Sequence, residues 1–318
     1  MHAGLRVFFF LFDLVLPVGV GYGLARAARL RPQSFDPLMK AGILVGFPAM
    51  VMLSLWTARL ERELLWLPFL GFAMQIVPGL LGWVRAKGKP YNSLQTGSYV
   101  MSAVLSNRGV VGGLSVFILF GEQGYACARL VMVLSEPCLF LFYFPVARWF
   151  RTAHGAAERR SGSWLPLIFN ANQAPVLGVA AGFALNLAKV PRPEAFGHVF
   201  TVLMHAVSWM FLIPVGACLD LKEMGRHWRG LLDLLPIKFL ATPLAMYLAA
   251  RAVGLEGTAL HTLTVLAFSP TAINAIITAK LNDLDIHVAT AAFVLTTAAY
   301  VLVVFPAILG VYALAGWL

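Results

Sequence analysis

Residues 106–113 read Ser-Asn-Arg-Gly-Val-Val-Gly-Gly and lie inside an apolar run from 93 to 120. A membrane-crossing helix needs about 20 mostly apolar residues, so the run can span a bilayer with this polar segment near its middle. Three glycines weaken the helix there. A break frees backbone amides and carbonyls that lipid cannot satisfy. It is tolerated only where protein buries it or where it lines a wet cavity. Glycines at such a place also serve close helix packing. Arg108 lies about 15 residues into the run. An arginine at that depth is costly and faces an interior cavity or a partner. It is either half of a structural ion pair or a two-pronged donor for a carboxylate.

A second interrupted run, 257–280, carries Ser269-Pro270-Thr271-Ala272-Ile273-Asn274. Pro270 cannot donate a helical hydrogen bond and crowds the preceding turn. Asn274 supplies both a donor and an acceptor. Helix N-termini exposed at such breaks favour anions.

The rest of the chain fits the same solvent. Of 318 residues, 60% are hydrophobic and 12% charged, about half the charge of an ordinary soluble domain, and the mean hydropathy is +0.80. Ten apolar runs are expected to span, near 5–27, 38–56, 64–84, 93–120, 125–147, 165–187, 197–219, 230–252, 257–280 and 287–315. The first exceeds the usual signal-peptide core of about 7–15 residues and is read as a retained span. The formal net charge of +10 is spread over short loops, as cytoplasmic membrane loops require. No basic helix or aromatic-basic patch suggests nucleic acid. Cys127, Cys138 and Cys218 sit inside apolar runs. Their odd number and spacing indicate neither a disulfide framework nor a zinc site.

The chain divides into a first five-helix repeat (1–150), a basic loop (151–164) and a second repeat (165–318). Pro17 and Gly23 of span 1 answer to Pro175 and Gly182 of span 6. Pro48 and Pro214 match in spans 2 and 7, and Pro68 and Pro78 of span 3 answer to Pro236 and Pro243 of span 8. Five spans per half place the second half upside down. Inverted repeats with interrupted helices recur in secondary transporters, whose sites lie at the breaks. The loops together with the outermost residues of the adjoining spans hold 14 lysines and arginines on one side and 6 on the other. The richer side is expected in the cytoplasm, with both termini outside. The fold class is therefore an all-α membrane protein of ten helices in a 5+5 inverted repeat. Spans 4 and 9 are expected to lose helical bonding near Gly109–Gly113 and Ser269–Pro270, with the two breaks meeting.

Other ionisable groups fall within spans: Asp13, Glu136, His205 and Lys238. Glu136 or Asp13 is expected either to balance Arg108 or to carry a proton, since a buried acid without a partner resists ionisation. Sodium is the alternative coupling ion. His205 reads as a packing residue or a proton relay. Arg129 and Lys238 are long enough to reach an interface. No HExxH, GxSxG or Walker A pattern supports an enzyme, and no cofactor motif is present. A non-transporting receptor or regulatory subunit on a carrier fold is the competing class. A homodimer is one assembly open to such a carrier.

These residues also carry a family resemblance. The chain resembles the auxin efflux carrier family, whose bacterial members include malate and malonate carriers. Asn107, Gly109 and Gly112 match the family's fourth span, Pro270 and Asn274 its ninth, and Gly121-Glu122 its turn after span 4. The family often has a small residue where Arg108 stands and a proline where Leu114 stands. The resemblance implies helices that cross at their broken middles, as in the related bile-acid sodium symporters, and elevator-like transport. The substrate site is expected at Asn107, Arg108, Gly109, Pro270 and Asn274, with a small mono- or dicarboxylate as cargo and no metal.

Overall fold

The computed structural model describes residues 3–28, 32–58, 61–134, 138–153, 174–219 and 221–317. Among these residues the fold is helical, and its one β feature is an isolated bridge. Seven helices are long and apolar enough to cross a membrane. They are α1 (Gly4–Ala27), α2 (Asp36–Trp56), α3 (Arg62–Ala86), α5 (Arg108–Met132), α8 (Ala195–Ala217), α10 (Leu234–Ala252) and α13 (Ile286–Leu314). Shorter helices are α4 (Ser93–Val104), α6 (Phe144–Thr152), α7 (Ala174–Leu187), α9 (Leu221–Leu231), α11 (Gly257–Ala267) and α12 (Ile273–Leu281). Large apolar side chains such as Leu177, Leu302 and Phe69 stay exposed on the outer faces, as lipid contact requires. The protein is a multi-pass membrane protein.

Proline shapes these helices by a repeated rule. Wide π-turns end at Val15, Gly46, Tyr143, Ala241 and Val304, and a proline follows two residues later each time: Pro17, Pro48, Pro145, Pro243 and Pro306. A proline ring clashes with the carbonyl four residues earlier. A wider i→i+5 turn moves that carbonyl aside, so the helix bends without ending.

Two helix pairs form one side of the bundle, α1 against α8 and α2 against α7. Their backbones touch through glycine. A Cβ at Gly21 would collide with the Ile213 carbonyl, and one at Gly216 with the Val18 carbonyl. Likewise Gly178 lies on Pro48, and Gly182 on Met52. Gly23, paired with Gly182 by sequence, has no neighbour within 4 Å of an added Cβ. The close approach falls one half-turn earlier, at Gly21. The Asn186 amide also reaches the carbonyls of Leu55, Trp56 and Ala58, closing the end of α2.

The remaining helices pack around the two interruptions. Gly121, with φ 65 and ψ −153, splits α5 into two arms. Only glycine adopts this conformation readily. It marks the turn the sequence places after residue 120. Glu122 beside it forms a two-pronged ion pair with Arg192, which also donates to the Leu53 carbonyl at 2.9 Å. The turn is thus tied to α2 and to the loop before α8. Residues 135–137 and 154–173 lie outside the described residues, and with them Glu136 and most of the basic loop.

Candidate functional site

Helix α4 is started by a capping box, with Asn92 accepting from the Gln95 amide. It ends at Val104, and Leu105 is extended. Helical structure resumes at Arg108 as a π-turn to Gly112. The break therefore lies at 105–107, a few residues before the expected Gly109–Gly113. Those glycines have turned helical again. Asn107 explains the shift: its Oδ1 accepts from the Val111 amide at 3.4 Å and caps the new helix. The second break separates Ala267 from Ile273, with Ala272 extended.

The two breaks satisfy each other. Ser106 and Thr271 form an antiparallel bridge. The Asn107 amide donates to the Pro270 carbonyl at 2.7 Å, and the Ala272 amide to the Leu105 carbonyl at 2.8 Å. Thr271 completes the accounting. Its amide donates to Thr296 Oγ1 and its hydroxyl to the Ser102 carbonyl, each at 3.0 Å. Buried backbone groups need such partners. Gly112 permits the approach, because a Cβ there would press on Ser269 Oγ and Leu266. An added Cβ at Gly109 meets nothing within 4 Å.

Two cations stand at this pairing. Arg108 is buried, with Nη2 donating to the Met74 carbonyl at 3.0 Å and Nε without a partner. Pro78 lies four residues after Met74 on α3. It cannot supply the helical amide that would occupy that carbonyl. Lys238 is only 1% exposed. It does not reach an interface; its Nζ donates to Ser106 Oγ at 2.8 Å. Neither cation forms an ion pair with a carboxylate among the described residues.

Four helix ends meet here, the C-termini of α4 and α11 and the N-termini of α5 and α12. Each end carries about half an elementary charge, negative at C-termini and positive at N-termini. The four cancel to first order. Arg108 then sets the sign, which is positive, and Lys238 beside Ser106 can add a second positive charge. The space beside Gly109, bounded by Phe47, Tyr125, Met204 and Ser208, measures about 10 Å³. That is room for about one water, and neither Arg108 nor Lys238 lines it.

The other expected site residues separate. Pro270 is buried and contributes its carbonyl to the bridge. Asn274 sits in the first turn of α12 and is exposed, so it does not flank the two cations from within. Asp13 is fully buried, but its partner is His205, with Oδ2 and Nδ1 2.7 Å apart between α1 and α8. The expectation that Asp13 balances Arg108 is thereby corrected. Ser106, Thr271, Thr296 and the Met74 carbonyl were not singled out by sequence. The Met74 carbonyl had a signal in Pro78, and Ser106 and Thr271 in their place within the two interrupted stretches; Thr296 had none. A separate cavity of about 410 Å³, lined by Glu61, Gln123, Cys127 and Glu256 among others, contains none of the expected site residues. No cluster suited to a metal ion occurs among the described residues.

A family model described as membrane transport protein matches residues 7–308. The chain belongs to this family. It is the auxin efflux carrier family anticipated from residues 107–112 and 270–274. A comparison with curated proteins finds no match. Within the membrane transport protein family, this chain is read as a membrane transporter. Its paired breaks are then the natural place to look for cargo.

Proposed function

We propose that the protein is a secondary carrier of a small organic anion, with a dicarboxylate favoured. The observation that carries the reading is the pair Arg108 and Lys238, both buried at the two breaks without a carboxylate partner among the described residues. Buried charge without a counter-charge is expensive, and an anionic ligand supplies one. The guanidinium offers a fork for one carboxylate. The ammonium offers a point charge for a second. The first-turn amides at Gly109 and Val110 add donors at a helix N-terminus.

The architecture proposed for this carrier is the 5+5 inverted repeat, with repeats at 1–150 and 165–318 joined by the loop 151–164. Exchanging the two halves maps span 1 on 6 and span 2 on 7. The contacts α1–α8 and α2–α7 are then equivalent, and both close on glycine. The two breaks are related in the same way. Loop charge places the 151–164 loop in the cytoplasm and both termini outside, in a cell membrane. Cysteine tagging at Ser161 tests this: labelling of intact cells from outside rejects the orientation.

The test of function is counterflow of labelled malate and malonate in liposomes holding the purified protein. Accumulation against unlabelled anion inside supports the carrier. Binding without counterflow favours the receptor reading, and preference for a neutral or cationic solute rejects the anion.

A further inference from the structure

We infer that Lys238 is a proton-binding site, and that it takes up a proton as the anion enters and gives it up as the anion leaves. The inference rests on the anion reading above.

The geometry is that of an amine able to work in two forms. Lys238 Nζ is sealed from solvent, and its hydrogen-bond partner is the Ser106 hydroxyl at 2.8 Å. A hydroxyl accepts from an ammonium and donates to the lone pair of an amine, so Ser106 satisfies either state. A carboxylate could only accept, and its charge would hold Lys238 in the ammonium form. Ser106 lies in the break two residues before Arg108, which opens the next helix, so the neighbouring fixed charge is positive. Arginine keeps its proton under all ordinary conditions, whereas a buried lysine sheds its proton readily. The two cations therefore divide the work: Arg108 is permanently charged, and Lys238 is charged when an anion is present to neutralise it.

The surrounding groups leave this role to Lys238. On its own helix, Asp233 is held by Arg85 Nε at 2.7 Å, Lys89 Nζ at 2.8 Å and the Tyr99 hydroxyl at 2.9 Å. On α13, the Tyr300 hydroxyl donates to Ser115 Oγ at 2.7 Å. Tyr143, before α6, lies within electrostatic reach of Arg108. Asp13 is occupied by His205. Glu136 lies outside the described residues and is treated as the rival site in the test.

The step balances simply. The amine, one proton from the facing aqueous side and the anion give an ammonium–anion pair; no other bond forms or breaks. On the opposite side the anion departs and the ammonium returns its proton. A dianion then crosses with one proton and carries one net negative charge. By linkage, the proton strengthens anion binding by the factor with which the anion strengthens proton binding.

Calorimetry of the full-length protein with malate, in buffers of different ionisation enthalpy, counts the protons taken up on binding. The expected result is about one proton per malate, with affinity weakening about tenfold per pH unit over the coupled range. Lys238→Arg, fixed in its charge, is expected to bind malate with no proton uptake and a flat pH profile. Ser106→Ala is expected to move the pH range of uptake without abolishing it, which covers the case in which Lys238→Arg does not fold. Malate binding without proton uptake in the native protein overturns the inference and leaves the anion site standing. Uptake that survives Lys238→Arg and disappears in Glu136→Gln assigns the proton to the acid and also overturns it. Absence of binding by malate, malonate and acetate at every pH overturns the anion reading, and the inference with it.

Discussion

Arg108 Nη2 donates at 3.0 Å to the Met74 carbonyl, which Pro78 leaves without a helical donor. A proline in one helix thus anchors the guanidinium of another. Restoring an amide should compete for that carbonyl. In Pro78→Ala, helix α3 is expected to straighten and the protein to melt no lower. Malate affinity is expected to fall about tenfold, the scale of one hydrogen bond to a charged group. Unchanged affinity measured by calorimetry would show that the anchor does not position Arg108.

Gly112 and Gly109 are expected to behave oppositely although both match the family pattern. Gly112→Ala forces a Cβ onto Ser269 Oγ and Leu266 and should cost about 1–3 kcal/mol. Gly109→Ala meets open space and should fold normally. Adding Ser269→Ala to Gly112→Ala should recover part of the loss. Thermal unfolding of these three variants beside the native chain in one detergent decides this, and equal destabilisation at 109 and 112 contradicts it.

The Asp13–His205 pair holds α1 to α8. Removing the imidazole leaves a carboxylate fully buried. His205→Ala is expected to destabilise by about 3–5 kcal/mol, the cost of breaking a buried pair from one side. Asp13→Asn with His205→Gln keeps shape without charge and should cost less than His205→Ala alone. A denaturation series in which the double variant is the less stable protein rejects this account.

Composition and run length made the membrane class readable, because about 20 apolar residues suffice for a span. The two breaks were readable from Gly109, Gly112 and Pro270, but their register was not. Glycine lowers helix stability over a region, while the end point was set by Asn107, whose side chain caps the following helix. Arg108 was legible as a site residue from its depth alone. Lys238 was legible as a candidate for coupling or an ion pair but not as a neighbour of the breaks, since a lysine twelve ångströms or so from a span end, at about 1.5 Å per residue, has a route to water. Its burial follows from the packing of α10 against α3 and the bridge. The partner of Asp13 was hidden for a similar reason: 192 residues separate it from His205.

The central claim is that Arg108 and Lys238 together hold an anion where the two broken helices pair. Its most direct measurement is malate affinity, by calorimetry on the purified protein, for the native chain, Arg108→Lys and Arg108→Ala. The account predicts that Arg108→Ala weakens binding by about a hundredfold, roughly 3 kcal/mol for a charged, buried hydrogen-bonding group. Arg108→Lys, which keeps the charge and loses the fork, falls between. An Arg108→Ala protein that is folded and binds malate as tightly as the native chain would contradict it.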